Sequence, residues 1–216
     1  MSTPASIERR KHAQRNRDSI FIEEGELLRV DAFAGDQFIQ RIRVPQCAAA
    51  AKPGSFIHIT CDATLPMRRP LSIMRAQDDW IEVLFKKVGD GMHALSKKRV
   101  GDKLSVLGPI GQPFNPDPEK PRALLIGGGV GIPPMVFLAD KLRHDDTFEP
   151  LAILGSELPF PFELGQSQIP VAGIDADTNS TMPLMERWGI PARLTSLAGF
   201  DGCHRGYVTE LAEQWL

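Results

Sequence analysis

The sequence predicts two unlike halves, an antiparallel β-barrel followed by a doubly wound parallel α/β sheet. Residues 18–114 hold many short β-like runs split by Gly and Pro, the pattern of a small barrel. Residues 115–121, Asn-Pro-Asp-Pro-Glu-Lys-Pro, carry three prolines and no other apolar residue, which marks a linker. From residue 123 onward, apolar runs of strand length alternate with stretches of helical period.

In order along the first half, 55–60 and 80–85 are rich in β-branched and aromatic residues and read as strands. A third strand, 101–107, enters the Gly108–Pro109 turn. In the second half 123–126 reads as a strand, 135–143 as a helix, 150–154 as a second strand and 171–174 as a third. The stretch 182–188 looks helical, 192–197 strand-like, and 207–216 an amphipathic closing helix. The expected organisation is a polar arm over 1–19, a barrel domain over 20–115 and an α/β domain over 122–216.

Composition bounds the function. A chain of 216 residues is long enough for two modest cores. A net charge of −2 provides no basic field for nucleic acid. No apolar run reaches membrane-spanning length, and the polar, Arg-rich stretch 6–19 lacks the apolar centre of a secretory signal. Cys47, Cys61 and Cys203 are three scattered thiols with no C-x-x-C pair. They point to a reducing cytoplasm, and argue against a disulfide framework or an iron–sulfur cluster built from these residues.

Two motifs carry chemistry. The run Leu124-Leu125-Ile126-Gly127-Gly128-Gly129-Val130-Gly131-Ile132-Pro133-Pro134 is a buried strand breaking into glycines, with prolines opening a helix where a missing N–H costs nothing. Gly127, Gly129 and Gly131 keep the spacing of the first two glycines of the dinucleotide fingerprint, although Pro134 stands where the third would fall. Such a loop lets the backbone approach a pyrophosphate over a helix N-terminus; the alternative is a glycine-rich turn without a ligand. Upstream, Arg68-Arg69-Pro70-Leu71-Ser72-Ile73 lies between two strands. An arginine fork on a rigid strand can clamp a pyrophosphate, and a serine two residues past Pro70 lies within reach of a neighbouring ring. The alternative is an edge strand with a surface arginine.

Six ordered pieces then line up: 52–56 (Lys-Pro-Gly-Ser-Phe), 69–73 (Arg-Pro-Leu-Ser-Ile), 88–92 (Val-Gly-Asp-Gly-Met), 107–111 (Leu-Gly-Pro-Ile-Gly), 127–133, and 201–209 (Asp-Gly-Cys-His-Arg-Gly-Tyr-Val-Thr). With these the chain resembles the ferredoxin–NADP reductase superfamily of flavoproteins, and within it the electron-transfer subunit of dihydroorotate dehydrogenase. The resemblance implies an FAD-binding barrel and an NAD-binding α/β domain. It puts Arg69, with Pro70 and Leu71 in the same segment, on the FAD pyrophosphate, and Ser72 beside the reactive N5 edge of the flavin as the catalytic position. Gly89 and Gly91 would offer amides to the same pyrophosphate. Met92 replaces the usual threonine or serine, so one hydroxyl bond is lost there. Gly127, Gly128, Gly129, Gly131, Ile132 and Pro133 would form the NAD loop. Glu157, after the second strand, would bond the adenosine ribose and repel a 2′-phosphate, favouring NAD over NADP; the alternative is a solvated glutamate.

The implied reaction is hydride transfer between NAD(H) and FAD, the cofactor doing the chemistry and the protein holding it. Electrons would then pass to or from a partner, the catalytic subunit of a dihydroorotate dehydrogenase in pyrimidine biosynthesis. The family's [2Fe–2S] cluster sits on a cysteine loop after a last strand ending in Cys-Gly-Pro, so it is expected only if the gene continues beyond Leu216. On that reading the isolated chain holds no stoichiometric iron, leaves an unpaired sheet edge beside the strand at Leu124, and keeps FAD better than NAD(H). The alternatives are a free-standing NAD(P)H-dependent flavin or ferredoxin reductase, and an inactive flavin-binding remnant. The proline-rich apolar loop 158–162 is expected to cover the sheet or meet a partner. His12, His58, His93, His144 and His204 lack metal-ligand spacing, and Tyr207 is expected to pack at the start of the last helix.

Overall fold

The computed structural model describes residues 19–216, so the expected polar arm lies outside the described residues except for Ser19. The first half contains β1 (Phe21–Phe33), β2 (Gln37–Arg43), α1 (Pro45–Ala50), β3 (Phe56–Ile59), β4 (Arg69–Gln77), β5 (Trp80–Lys86), α2 (Gly89–Ser96) and β6 (Lys103–Ile110). The strands close into an antiparallel barrel in the order β1-β2-β5-β4-β3-β6. Period-2 alternation drives this: in β3, Ile57 and Ile59 are buried while Phe56 and His58 are half-buried. Ile57, Ile59, Ile73, Ile81, Val83 and Val106 meet in the barrel core. The β1–β2 hairpin turns at Gly35 and Asp36, both at positive φ (74° and 57°), a conformation open to glycine and tolerated by aspartate.

The second half contains β7 (Arg122–Gly128), a 3₁₀ turn (Gly129–Gly131), α3 (Ile132–Leu142), β8 (Glu149–Gly155), the two-residue strands β9 (Gly165–Gln166) and β10 (Ser180–Thr181), α4 (Pro183–Arg187), β11 (Ala192–Thr195) and α5 (Val208–Trp215). Strands β7, β8 and β11 form a parallel sheet in the order β11-β8-β7. Alternation along β8 sends Ala152 and Leu154 to the α3 face and Leu151 and Ile153 to the α5 face, so the sheet is covered on both sides, as parallel sheets require. Among the described residues β7 pairs only with β8, which leaves it at the sheet edge beside Leu124, as expected.

The strand expected over 171–174 is not one. Pro170 and Gly173 flank and interrupt this short apolar run, and Ile174 donates its N–H to the Val171 carbonyl in a turn, Gly173 having φ 86°. Val171 and Ile174 instead pack beside α5, and the third parallel strand is β11. The 158–162 loop is a cover: Phe160 is buried and packs on Phe162 and Phe200.

The two halves share core residues. Met74 and Leu84 of the barrel are buried in the apolar cluster of the parallel sheet, and Phe137 of α3 enters the barrel core. A β-bulge makes this exchange. Ile73 pairs with Val83 and Arg75 with Glu82, leaving Met74 as the extra residue that turns outward toward α3.

Candidate cofactor clefts on the barrel and at the sheet ends

The two adjacent arginines of the Arg-Pro segment are held differently. Arg68 is tied down: its guanidinium donates to the Ser105 carbonyl (2.9 Å) and hydroxyl (2.8 Å) on β6 and, at 3.4 Å, to the His58 carbonyl. Arg69 donates only to the nearby Met67 and Arg68 carbonyls, at 2.9 and 3.5 Å, and makes no ion pair among the described residues. It lies against the start of α2, where a Cβ built on Gly91 would stand 2.9 Å from Arg69 Nε. Glycine is therefore needed at 91 for the arginine to reach its place. Gly89, at φ 72°, opens α2 with nothing within 4 Å of its Cβ position, and no side chain caps this helix. A half-buried guanidinium thus faces the uncapped amides of a helix N-terminus, a donor set that fits a pyrophosphate.

Ser72 stands opposite Phe56 across the β4–β3 pair, three residues from Arg69 on the same strand. Leu71 turns into the barrel core, and Met92 packs against that core from α2. Burial pushes the Cys61 thiol upward although the Arg69 charge nearby pulls it down.

The second site is a cleft of about 430 Å³ at the carboxyl ends of β7, β8 and β11, the place where open α/β sheets bind ligands. Its floor is Gly128, Gly129 and Val130, and its sides are Glu157, Thr195, Ser196 and Tyr207. The glycines divide into two kinds. A Cβ on Gly127 would meet the Gly131 carbonyl at 2.7 Å, so this glycine lets the loop fold back on its own strand. Cβ positions on Gly129 and Gly131 meet nothing within 4 Å, and that on Gly128 only the Gly155 carbonyl at 4.0 Å; of these, Gly128 and Gly129 line the cleft and leave it open. Ile132 and Pro133 are buried and start α3, which has no side-chain cap.

Glu157 is exposed at the cleft rim, directly after β8. Tyr207 does not pack as expected: it is the N-cap of α5, the residue is 56% exposed, and it lines the cleft. The reason is the Glu210 carboxylate, which accepts the Tyr207 N–H at 2.7 Å, so the capping is done by backbone and Glu210 while the ring is left free. The barrel also contributes Lys86, at the end of β5, and Gln37, which donates to the Pro159 carbonyl at 2.7 Å and ties the β1–β2 hairpin to the loop after β8. The 3₁₀ turn lies against β5, so the cleft and the barrel adjoin. Sequence reasoning missed Gln37, Lys86, Thr195 and Ser196, because no motif surrounds them and only the packing of barrel on sheet brings them together.

The three cysteines are free and apart, Cys47 and Cys61 in the barrel and Cys203 in the second half. Among the described residues no group of three or more His, Cys, Asp and Glu is placed to hold a metal ion. These thiols do not fit a [2Fe–2S] cluster, which needs four ligands on one site. Among the described residues no helix is long and apolar enough to cross a membrane.

No protein-family model matches the chain. In sequence it is 43% identical over 96 residues to the dihydroorotate dehydrogenase B (NAD(+)) electron transfer subunit of Geobacillus sp. strain WCH70, covering 42% of this chain and 37% of that protein. It is 39% identical over 115 residues to the same subunit of Listeria monocytogenes serovar 1/2a, covering 50% of this chain and 45% of the relative, so the match spans less than half the relatives' length. In structure it is similar to an NADH-dependent reduced ferredoxin–NADP oxidoreductase, with TM-score 0.70 and 24% identity over 89% of this chain and 63% of the other. The cytochrome b5 reductase domain of Ulva prolifera nitrate reductase aligns with TM-score 0.63 and 16% identity, over 91% of this chain and 82% of that one. The chain therefore has the ferredoxin reductase-like fold of an antiparallel barrel joined to a parallel α/β sheet, and is related in sequence to the electron-transfer subunits of dihydroorotate dehydrogenase B.

Proposed function

We propose that this chain is a flavin-dependent electron-transfer oxidoreductase, binding FAD on a barrel domain (20–115) and NAD(H) on an α/β domain (122–216), and serving a dihydroorotate dehydrogenase as its electron-transfer subunit. One observation carries the reading: Arg69 beside the uncapped N-terminus of α2, and the glycine-lined cleft at the carboxyl ends of β7, β8 and β11, sit on adjoining faces of barrel and sheet. The first suits the FAD pyrophosphate and the second, through its glycine backbone, that of NAD, and two nucleotide cofactors placed this way meet between the halves.

FAD, when bound, supplies hydride exchange with nicotinamide and a one-electron exit to a partner. The residues hold and orient. Arg69 offers a charge-assisted fork to the FAD pyrophosphate, with the Gly89 and Gly91 amides opposite it, while Pro70 stiffens the strand. Ser72 presents its hydroxyl where the flavin edge would lie, the catalytic position in this reading. Gly128, Gly129 and Gly131 let the NAD pyrophosphate approach backbone amides, and Ile132 and Pro133 hold the start of α3 in place. The Glu157 carboxylate accepts from ribose hydroxyls and repels a 2′-phosphate, which selects NAD. The unpaired thiols suit the cytoplasm.

The test is anaerobic titration of the purified chain, reconstituted with FAD, by NADH and by NADPH. Bound-flavin absorption that bleaches with NADH in preference to NADPH supports the reading, and stimulation by a dihydroorotate-oxidising subunit supports the assignment of partner. A chain that binds no FAD overturns both.

A further inference from the structure

We propose that Trp188 is a positioning residue, clamped between one arginine from each half, which fixes the angle between the strand carrying Arg69 and Ser72 and the helix behind the glycine loop. The inference rests on the proposed function for its kinetic consequence and on geometry alone for the clamp. Strand β4 carries Arg69 and Ser72 at one end and, directly after the Met74 bulge, Arg75. Helix α3 begins at the glycine loop and ends at Arg143. The indole of Trp188, at the end of α4, lies between them, with the Arg75 guanidinium carbon 5.9 Å and the Arg143 carbon 4.9 Å from its ring.

Both cations are fixed from behind. Arg143 donates to the buried Asp140 carboxylate at 2.7 Å. Arg75 donates to Glu82 at 3.3 Å; Glu82 is only 4% exposed and also accepts from Arg41 at 2.8 Å, whose guanidinium lies 3.8 Å from the Trp80 ring. Arg75 also lies 5.3 Å from that ring and donates to the Gln77 side chain at 3.3 Å, while its buried Nε has no hydrogen-bond partner, so the guanidinium is held by Glu82, by Gln77 and by the two indoles. The ladder Arg41–Trp80–Arg75–Trp188–Arg143 thus runs from the barrel into the second half.

The other contacts between the halves, the direct packing of β4 on α3 included, are mostly apolar. The covalent connection, residues 111–121, contains no regular element. Met74, Leu84 and Phe137 are apolar plugs, and apolar contact is non-directional. A guanidinium over an indole face has a defined placement. Together with the Gln37 hydrogen bond to the Pro159 carbonyl at the cleft rim, Trp188 makes a second fixed point at the far end of β4. Two such points set the rotation of β4 against α3, and with it the approach of nicotinamide to flavin, where a displacement near 1 Å costs on the order of 100-fold.

The experiment compares Trp188→Leu, Trp188→Phe and Arg75→Met in the FAD-reconstituted full chain. It measures the limiting rate of flavin reduction at saturating NADH, the Kd values for FAD and NADH, and the distance distribution between spin labels at Glu24→Cys and Glu213→Cys in a Cys203→Ser background. Expected are a limiting rate lowered by roughly tenfold or more in Trp188→Leu and Arg75→Met, both Kd values within about twofold of the parent, a broadened distance distribution, and recovery in Trp188→Phe. An unchanged limiting rate, an unchanged distance distribution, or a rate that falls in step with both affinities overturns the clamp. If Trp188→Leu does not fold, Arg75→Met decides alone. If the parent's flavin is not reduced by NADH, the proposed function fails, and the distance distributions still decide the clamp.

Discussion

Replacing Arg69 by alanine separates the two adjacent arginines and tests the flavin site directly. Arg69 spends its hydrogen bonds on two neighbouring backbone carbonyls and forms no ion pair among the described residues, so its charge is available to a ligand. Removing a charge-assisted fork costs about 1.5–3 kcal/mol, which is roughly a 10- to 150-fold rise in the FAD Kd. Arg68→Ala provides the contrast. Its guanidinium braces β4 to β6 through both oxygens of Ser105, so its loss lowers thermal stability and leaves FAD affinity within a few fold. Gly91→Ala tests the same geometry without removing a charge, because its Cβ would press on Arg69 at 2.9 Å and push the guanidinium out of place. Fluorescence titration of the apo variants with FAD, with melting temperature measured alongside, reads all three. FAD affinity unchanged in Arg69→Ala, or lost equally in Arg68→Ala, would refute the assignment.

Gly128→Val places a side chain in the cleft from an extended backbone (φ −122°) that suits valine, so NADH affinity falls at least about tenfold while FAD stays bound; joint loss of FAD would assign the loop to folding instead. Gly127→Ala forces its Cβ toward the Gly131 carbonyl and destabilises the fold by about 1–3 kcal/mol, measured by denaturant unfolding. Burial and the charge of Glu23 push the Cys47 thiol up from 9.0 to about 12. The folded state therefore keeps a proton that the unfolded chain has lost, and stability present below pH 9.0 is lost as pH rises toward about 12, a pH dependence that Cys47→Ala reduces. Ile126→Lys, on the β7 edge where Ile126 is 38% exposed, lowers concentration-dependent self-association seen by light scattering.

Much of the architecture was legible because it follows from local period and punctuation. Strands such as 55–60 and 80–85 announce themselves by alternation and β-branched residues, and the start of α3 by Pro133 and Pro134 after the glycines. The 171–174 run failed for a physical reason: a short apolar run after Pro170 satisfies a strand pattern, yet Gly173 within it takes a positive φ and the chain turns back on itself. Tyr207 failed similarly, since a helix cap made by backbone and Glu210 leaves its ring free to face the cleft.

By itself the sequence determined the order of the elements, the glycine loop, the Arg-Pro-Leu-Ser segment and the absence of any thiol pair, because each of these is written in consecutive residues. Only the tertiary structure decided which arginine is free, since Arg68 is claimed by Ser105, a residue 37 positions away. The same holds for the glycines: Gly127 makes room for its own loop and Gly128 for the cleft, a distinction set by what lies across from each Cβ. Lys86, Gln37 and the Arg75–Trp188–Arg143 stack exist as parts of one site or contact only after barrel and sheet dock. Local pattern encodes which backbone conformation a residue favours; long-range packing chooses its neighbours, and reactivity and recognition depend on the neighbours.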